Sequence, residues 1–103
     1  MKAHELFKEY RKDHDSLNKK MYKLREILEA ELDKYFNGEL EGRVQYTLYL
    51  SPGKVELEIT GLNEDIRLTG YDLEVLNKIV TGSATNKYLI YNDDDPNCLM
   101  LVW

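Results

Sequence analysis

The sequence contains one cysteine, Cys98, and two prolines among its 103 residues. A single cysteine excludes an intrachain disulfide, and because Cys98 begins the apolar run 98–102, we expect a packed thiol rather than a reactive one. No stretch reaches the roughly 18 consecutive apolar residues of a membrane span. The first residues are polar and unlike a signal peptide. These features predict a cytoplasmic protein that does not enter a membrane.

Motifs for catalysis and for cofactor binding are also missing. The sequence has two histidines and no glycine-rich phosphate loop, nucleophile elbow or paired metal-ligand spacing. The aspartate run 93–95 fails the calcium-loop spacing, because the position that requires glycine is Cys98. We read this run as a solvated turn. The sequence therefore predicts a protein that is not an enzyme, with no catalytic residue, no metal site and no cofactor.

Glycine and proline are both absent from residues 1–37. In this segment apolar residues recur with alternating gaps of three and four, the heptad pattern of a helix that packs on another helix. A second helix could begin within Asp13–Ser16, since Asp15 or Ser16 could act as an N-cap, but we favour one continuous helix. At about 1.5 Å per residue this helix is longer than the rest of the fold, so its first half is predicted to project.

An apolar stripe on a projecting helix needs a cover, and a second copy of the chain can supply it. We predict a homodimer in which the two helices pack as a coiled coil. His14 would fix the register of this seam, and the alternative role is a histidine pair that binds a metal or responds to acid. The predicted dimer-interface residues are Phe7, Tyr10, His14, Leu17, Met21 and Leu24.

From residue 38 onward the apolar residues alternate with period two, which is typical of β-strands. Asn37-Gly38 predicts the end of the helix. Ser51–Gly53 predicts a turn between strands over Val44–Leu50 and Val55–Thr60. The remaining predicted elements are a strand over Ile66–Leu68, a helix capped by Thr69 and Gly82, a strand over Tyr88–Tyr91 and a strand over Cys98–Trp103.

These elements predict one α+β domain over residues 1–103, with the element order α-β-β-β-α-β-β. A long N-terminal helix (1–37) is followed by a body (38–103) that contains a mainly antiparallel sheet of about five strands and one short helix. The last strand is apolar on both faces. Because such a strand would aggregate at a sheet edge, we expect it inside the sheet or paired with another subunit.

The net charge of −5 is concentrated in the body. Residues 1–37 contain nine basic and eight acidic side chains, whereas residues 38–103 contain five basic and eleven acidic ones. An acidic body repels nucleic acid and anionic membranes and attracts basic partners. We therefore predict no direct contact with nucleic acid and no membrane contact.

The sequence predicts a non-enzymatic protein-interaction module that homodimerises through its helix and binds a protein partner with its acidic body. This partner is expected to be basic or nucleic-acid-binding. Tyrosine is common at contact surfaces, so the candidate residues combine an exposed tyrosine with outward carboxylates. These partner-binding candidates are Tyr49, Glu56, Glu58, Asp93, Asp94 and Asp95.

Two other functions stay open at this point. One is a small acidic inhibitor from a phage or another mobile element, of the anti-restriction or anti-CRISPR kind, which blocks the nucleic-acid groove of a host protein. The carboxylates for such a mimic would be Glu56, Glu58, Glu64, Asp65, Asp72, Glu74 and Asp93 to Asp95. The other function is that of a structural subunit in a larger assembly.

Overall fold

The computed structural model describes residues 3–4, 17–51, 53–91 and 95–103, with the side chains of residues 17–20 outside the description. In this part of the chain, two helices and a four-stranded antiparallel sheet form an α+β fold. The elements are α1 (Leu17–Asn37), β1 (Gln45–Ser51), β2 (Lys54–Thr60), α2 (Gly70–Thr81), β3 (Leu89–Tyr91) and β4 (Cys98–Val102). Neither helix in these ranges has the length and apolar content that a membrane crossing requires.

α1 packs one apolar face on the sheet, as its spacing predicts. Leu24, Leu28 and Leu32 have no exposed surface, and they recur every fourth residue along one side of the helix. The helix ends at Asn37, where the backbone N–H of Gly38 donates to the carbonyl of Lys34 (2.9 Å). The second half of the predicted helix and its stop at Asn37-Gly38 are confirmed.

The first half of the predicted 1–37 helix is not confirmed, since the described helix begins at Leu17. Ala3 is 1% exposed and belongs to the core. The ring of His4 lies on Gly82, so closely that a Cβ added to this glycine would be 2.5 Å from His4 Cγ. Ala3 and His4 therefore lie against the body and do not project from it. Helix continuity through Asp13–Ser16 falls outside the described residues and stays a prediction.

The strand order is β1-β2-β4-β3, and each neighbouring pair is antiparallel. β1 and β2 form the predicted hairpin, with Leu48 opposite Leu57. β4 lies inside the sheet, as expected for the apolar last strand, and Leu101 is completely buried there. Beyond β4, Trp103 exchanges two backbone hydrogen bonds with Val55 (2.8 and 3.1 Å). The C-terminus is thereby held on the central strand.

The strand predicted over Ile66–Leu68 is wrong, because this segment is a loop. Its alternation is real, since the middle residue, Arg67, is exposed and its two neighbours are half-buried. However, the side chain of Asn63 accepts hydrogen bonds from the backbone N–H groups of Asp65 and Ile66 (2.8 and 3.0 Å). This Asx turn bends the chain away from a strand ladder. Within the described ranges the sheet therefore has four strands rather than the predicted five.

α2 carries both predicted caps. Thr69 and Asp72 form a capping box, in which the Thr69 hydroxyl accepts from the N–H of Asp72 (3.2 Å) and the Asp72 carboxylate accepts from the N–H of Thr69 (2.8 Å). At the other end Gly82 is left-handed (φ 71°) and donates to the carbonyl of Lys78 (2.9 Å). An L side chain would be strained at this φ, which explains the glycine.

The carboxylate of Asp72 also joins the two helices. The hydroxyl of Tyr35 on α1 donates to Asp72 Oδ1 at 2.5 Å. Burial raises the pKa of Asp72, but hydrogen bonds from Tyr35 and Thr69 lower it by more, so the pKa lies below its ordinary value. Burial and the Asp72 carboxylate both raise the pKa of Tyr35. The pair is therefore a neutral phenol bonded to an ionised carboxylate.

A second buried polar cluster surrounds Asn77, whose side chain is completely buried. Its amide nitrogen donates to the carbonyls of Ser83 (3.0 Å) and Thr85 (2.9 Å). Its amide oxygen accepts from the backbone N–H of Lys87 and from the indole N–H of Trp103, both at 3.1 Å. One side chain thus holds the loop between α2 and β3 and the C-terminus in place.

The core lies between the helices and one face of the sheet, here called the inner face. Its completely buried apolar side chains come from both helices and from the two central strands: Leu24, Leu28, Leu32, Val55, Leu57, Ile59, Leu76, Val80 and Leu101. The opposite side is called the outer face. Since both described helices pack on the inner face, the outer face carries no described helix.

Candidate interaction surfaces

The outer face brings three of the predicted partner-binding residues together. Side chains alternate across each strand, so the strand register sets which of them are neighbours on this face. One cross-strand row consists of Tyr49, Glu56, Val102 and Leu89, and the next consists of Thr47, Glu58, Met100 and Tyr91. We call these eight residues the outer patch. Each row changes from polar side chains on β1 and β2 to apolar or aromatic ones on β4 and β3.

The outer patch is most exposed at the two edges of the sheet. Tyr49 on β1 is 46% exposed, and Leu89 and Tyr91 on β3 are 61% and 53% exposed. Met100, between them, is half-buried. Large apolar and aromatic side chains that stand together on a sheet face are a common feature of protein-binding surfaces.

The two glutamates of the outer patch differ in their charge partners. Lys54 lies 3.2 Å from Glu56 and compensates part of its charge. Glu58 accepts a long hydrogen bond from the hydroxyl of Tyr49 (3.5 Å), and no ion pair joins it to another residue in the described ranges. The patch therefore presents a carboxylate beside the apolar side chain of Met100.

The predicted aspartate turn is described only at Asp95. This residue is exposed, and its carboxylate accepts from the backbone N–H of Asn97 (2.9 Å), as in the expected Asx turn. Asp93 and Asp94 lie outside the described residues. The structure thus joins Tyr49 with the two glutamates and places Asp95 in the connection between β3 and β4.

Two of the six predicted dimer-interface residues have described side chains. Leu24 is completely buried in its own chain, which leaves it no surface for a second copy. Met21 is half-buried against the same core. The side chains of the other four residues lie outside the description: Phe7, Tyr10, His14 and Leu17. A helical seam between two chains stays a prediction.

Sequence reasoning missed Leu89 and Ile90 as surface residues. Both belong to β3, the edge strand, and Ile90 is 46% exposed. Of the two tyrosines in this segment, Tyr91 is exposed, whereas Tyr88 is half-buried with its ring edge-on to Trp103. The available signal was that the apolar segment 88–91 is short and lies between two polar stretches. Short strands are common at sheet edges, where side chains are exposed.

A second surface is the groove between α1 and the outer edge of β1, with a volume of about 420 Å³. We call it the α1–β1 groove. On one side it is lined by Arg25, Glu29 and Asp33 of α1, and on the other by residues 44–48. The rings of Phe36 and Tyr46 also line it, with their centroids 4.8 Å apart. The groove combines an aromatic pair with charged walls.

Hydrogen bonds hold the polar side chains of the α1–β1 groove. The hydroxyl of Tyr46 donates to Asp33 Oδ1 (2.6 Å). Burial and this carboxylate raise the pKa of Tyr46, which keeps the hydroxyl protonated. Arg25 Nη1 donates across the groove to the carbonyl of Leu48 (2.9 Å) and lies 3.4 Å from Glu29 Oε1. One carbonyl at the edge of β1 is therefore bonded to a side chain.

The described ranges contain no group of three or more His, Cys, Asp or Glu side chains that could hold a metal ion. Comparison with known proteins does not assign the chain to a family, since no family model, curated protein or solved structure matches it. The outer patch and the α1–β1 groove are the two candidate interaction surfaces of the described residues.

Proposed function

We propose that this protein is an interaction module that binds a protein partner through the outer patch. One observation carries the proposal: exposed Leu89 and Tyr91 share one sheet face with the carboxylates of Glu56 and Glu58. A single exposed apolar residue needs no explanation, but several exposed apolar and aromatic side chains on one sheet face are informative. Their exposure next to charged groups is what a binding surface needs.

The outer patch defines the chemistry of its partner. The β3 and β4 half offers apolar area, worth roughly 25 cal/mol per Å² when a partner removes it from water. The β1 and β2 half offers Glu58, with the Tyr49 hydroxyl beside it. The matching surface therefore presents apolar side chains next to lysine or arginine. Charge attraction sets the rate and specificity of this association, and apolar burial supplies most of the free energy.

No specific observation favours the nucleic-acid mimic. A mimic needs its carboxylates free and on one face, whereas Asp72 is 9% exposed and is hydrogen-bonded to Tyr35 and Thr69. Homodimerisation through the N-terminal segment and a role as a structural subunit stay predictions, as does the absence of enzymatic activity.

Site-specific photo-cross-linking in cells of the natural source tests the proposal. Tyr91 is replaced by the photoreactive residue p-benzoylphenylalanine in the full chain. The matched control places the same residue at Tyr71, which is 63% exposed on α2. We expect one discrete adduct with another protein from position 91 and none from position 71. The added substitution Glu58→Lys should remove this adduct by charge repulsion.

Three results of this experiment would contradict the proposal. Equal adducts from both positions would show that contacts follow tyrosine exposure and not the outer patch. The absence of any adduct from position 91 would show that the patch has no partner in these cells. An adduct that still forms with Glu58→Lys would show that the Glu58 carboxylate does not take part in recognising the partner.

A further inference from the structure

The α1–β1 groove contains the outer hydrogen-bonding edge of β1, beside which no strand lies in the described ranges. Val55 of β2 exchanges two backbone hydrogen bonds with Trp103, so its N–H and C=O groups point away from β1. In an antiparallel sheet this pattern alternates, so the backbone groups of Tyr46, Leu48 and Leu50 point away from β2. The hydrogen bond from Arg25 to the Leu48 carbonyl (2.9 Å) agrees with this pattern, because it shows that this carbonyl points toward the groove and away from β2.

Arg25 holds the position that an N–H group of an added strand would take. Its distance of 2.9 Å to the Leu48 carbonyl is that of an ordinary backbone hydrogen bond. Among the described residues, no side chain bonds the backbone groups of Tyr46. Arg25 thus occupies the Leu48 carbonyl, whereas the backbone groups of Tyr46, two residues earlier, have no such partner in the described part of the chain. Proteins usually protect such edges, because an open edge is a template for pairing with another chain.

The walls of the groove determine which chain fits. Asp33 is exposed, and the Tyr46 hydroxyl bonds one of its two carboxylate oxygens. Glu29 is half-exposed on the next turn of the same helix face, and among the described residues Arg25 is the one cation paired with it. If Arg25 leaves the groove, two carboxylates remain beside the open edge. A lysine or arginine side chain on the incoming strand would restore the charge balance.

We propose that the α1–β1 groove binds an extended segment of a partner protein, which adds as a strand beside β1 and carries a lysine or arginine. Backbone bonds to Tyr46 and Leu48 supply the pairing, and the basic side chain displaces Arg25 and pairs with Glu29 and Asp33. This mode is strand addition to a sheet edge. It uses the edge of β1 and does not depend on the outer patch.

The test is a titration of the isotope-labelled full chain, followed by amide NMR signals. The probe is an acetylated and amidated Val-Lys-Val-Lys-Val-Lys peptide. The charge control has glutamate in place of lysine, and the backbone control carries N-methyl groups that block strand pairing. We expect the lysine peptide to shift the amide signals of Tyr46 and Leu48. Both controls should bind at least about tenfold more weakly, from charge repulsion and from lost backbone bonds.

Three variants separate the parts of the proposal. Asp33→Asn keeps an acceptor for the Tyr46 hydroxyl but removes the charge, and should weaken binding about two- to fivefold. Glu26→Gln makes the same charge change at an exposed site of α1 outside the groove lining and should leave binding unchanged. Arg25→Gln removes the competing cation and should strengthen binding. Thermal melting of each variant confirms that it is folded.

Four outcomes overturn the proposal. The first is an absence of shifts at Tyr46 and Leu48 with millimolar lysine peptide. The second is equal binding of the glutamate peptide, which would remove the charge selection. The third is equal binding of the N-methylated peptide, which would show that the edge of β1 is not used. The fourth is weaker binding by Arg25→Gln, which would make Arg25 part of the site and not its competitor.

Discussion

The two faces of the same sheet differ in what surrounds them. On the inner face Leu57, Ile59 and Leu101 are completely buried under the helices, and the buried amide of Asn77 has a hydrogen-bond partner at each polar atom. On the outer face, Glu58 is half-buried and no described helix covers it. The same strands supply both faces, since alternate residues point to opposite sides. Stability is therefore concentrated on the inner face, and the outer face is the one to which we assign the proposed binding.

The largest expected effect on stability distinguishes Leu57 from its neighbour Glu58 on β2, because their side chains point to opposite faces of the sheet. Leu57→Ala leaves a cavity in the closed inner face and should lower the free energy of unfolding by about 2–5 kcal/mol. Glu58→Ala should change it by less than about 0.5 kcal/mol. Urea unfolding of both variants measures the difference. Equal losses would show that the outer face also carries the fold.

Asn77→Ala tests the polar part of the inner face. The substitution leaves the Lys87 N–H, the Trp103 indole and two carbonyls without their partner, so we expect a loss of about 3 kcal/mol. Asn86→Ala, at an exposed position of the same loop, is the control and should be nearly neutral. Trp103 is the only tryptophan, so its fluorescence reports the change directly. A stable Asn77→Ala variant would show that water replaces the amide.

The hydrogen bond between Tyr35 and Asp72 predicts that the stability of the fold decreases at acid pH. Since the folded pKa of Asp72 lies below its unfolded value of about 3.9, the unfolded chain takes up the proton first, and stability falls as the pH drops below about 4. Tyr35→Phe removes one of the bonds that lower this pKa. The folded pKa of Asp72 then moves toward its unfolded value, so the free energy of unfolding, measured with urea, should fall less between about pH 6 and pH 3 in the variant than in the wild type. An equal fall in both proteins would show that Thr69 alone lowers this pKa.

The smallest expected change in stability comes from the outer patch. Leu89 is 61% exposed, so Leu89→Ser should alter the free energy of unfolding by less than about 0.5 kcal/mol. The same variant should lack the partner adduct that we expect at position 91. Denaturation and cross-linking of one protein sample check both statements. A clear loss of stability would mean that Leu89 supports the edge strand.

Local signals account for the elements that the sequence predicted well. The capping box of Thr69 and Asp72 and the left-handed Gly82 depend on residues within a few positions of each other. The hairpin likewise depends on a short turn between two alternating segments. Such features follow from backbone geometry and nearby side chains, and tertiary contacts need not supply them.

The wrong predictions have one cause. An alternating pattern indicates which side of a segment is apolar, but it does not indicate which part of the protein covers that side. The half-buried residues around Arg67 alternate like a strand, yet the Asx turn at Asn63 removes them from the ladder. At the N-terminus, Ala3 has its cover in the core of its own chain, whereas the predicted second chain over the rest of the apolar stripe stays a prediction. The outer patch joins residues from four strands, so only the strand order could reveal it.

The sequence alone determined the α+β class, the end of α1 at Asn37, the hairpin and the caps of α2, because turns, caps and residue alternation act over a few positions. For the apolar last strand the sequence left two places open, inside the sheet or against another subunit, and the strand order decided for the first. The tertiary structure decided that Leu89 and Tyr91 stand on one face with Glu56 and Glu58, and that Arg25 meets the edge of β1. These contacts join residues far apart in the chain. They depend on strand order and helix placement, which follow from packing of the whole core.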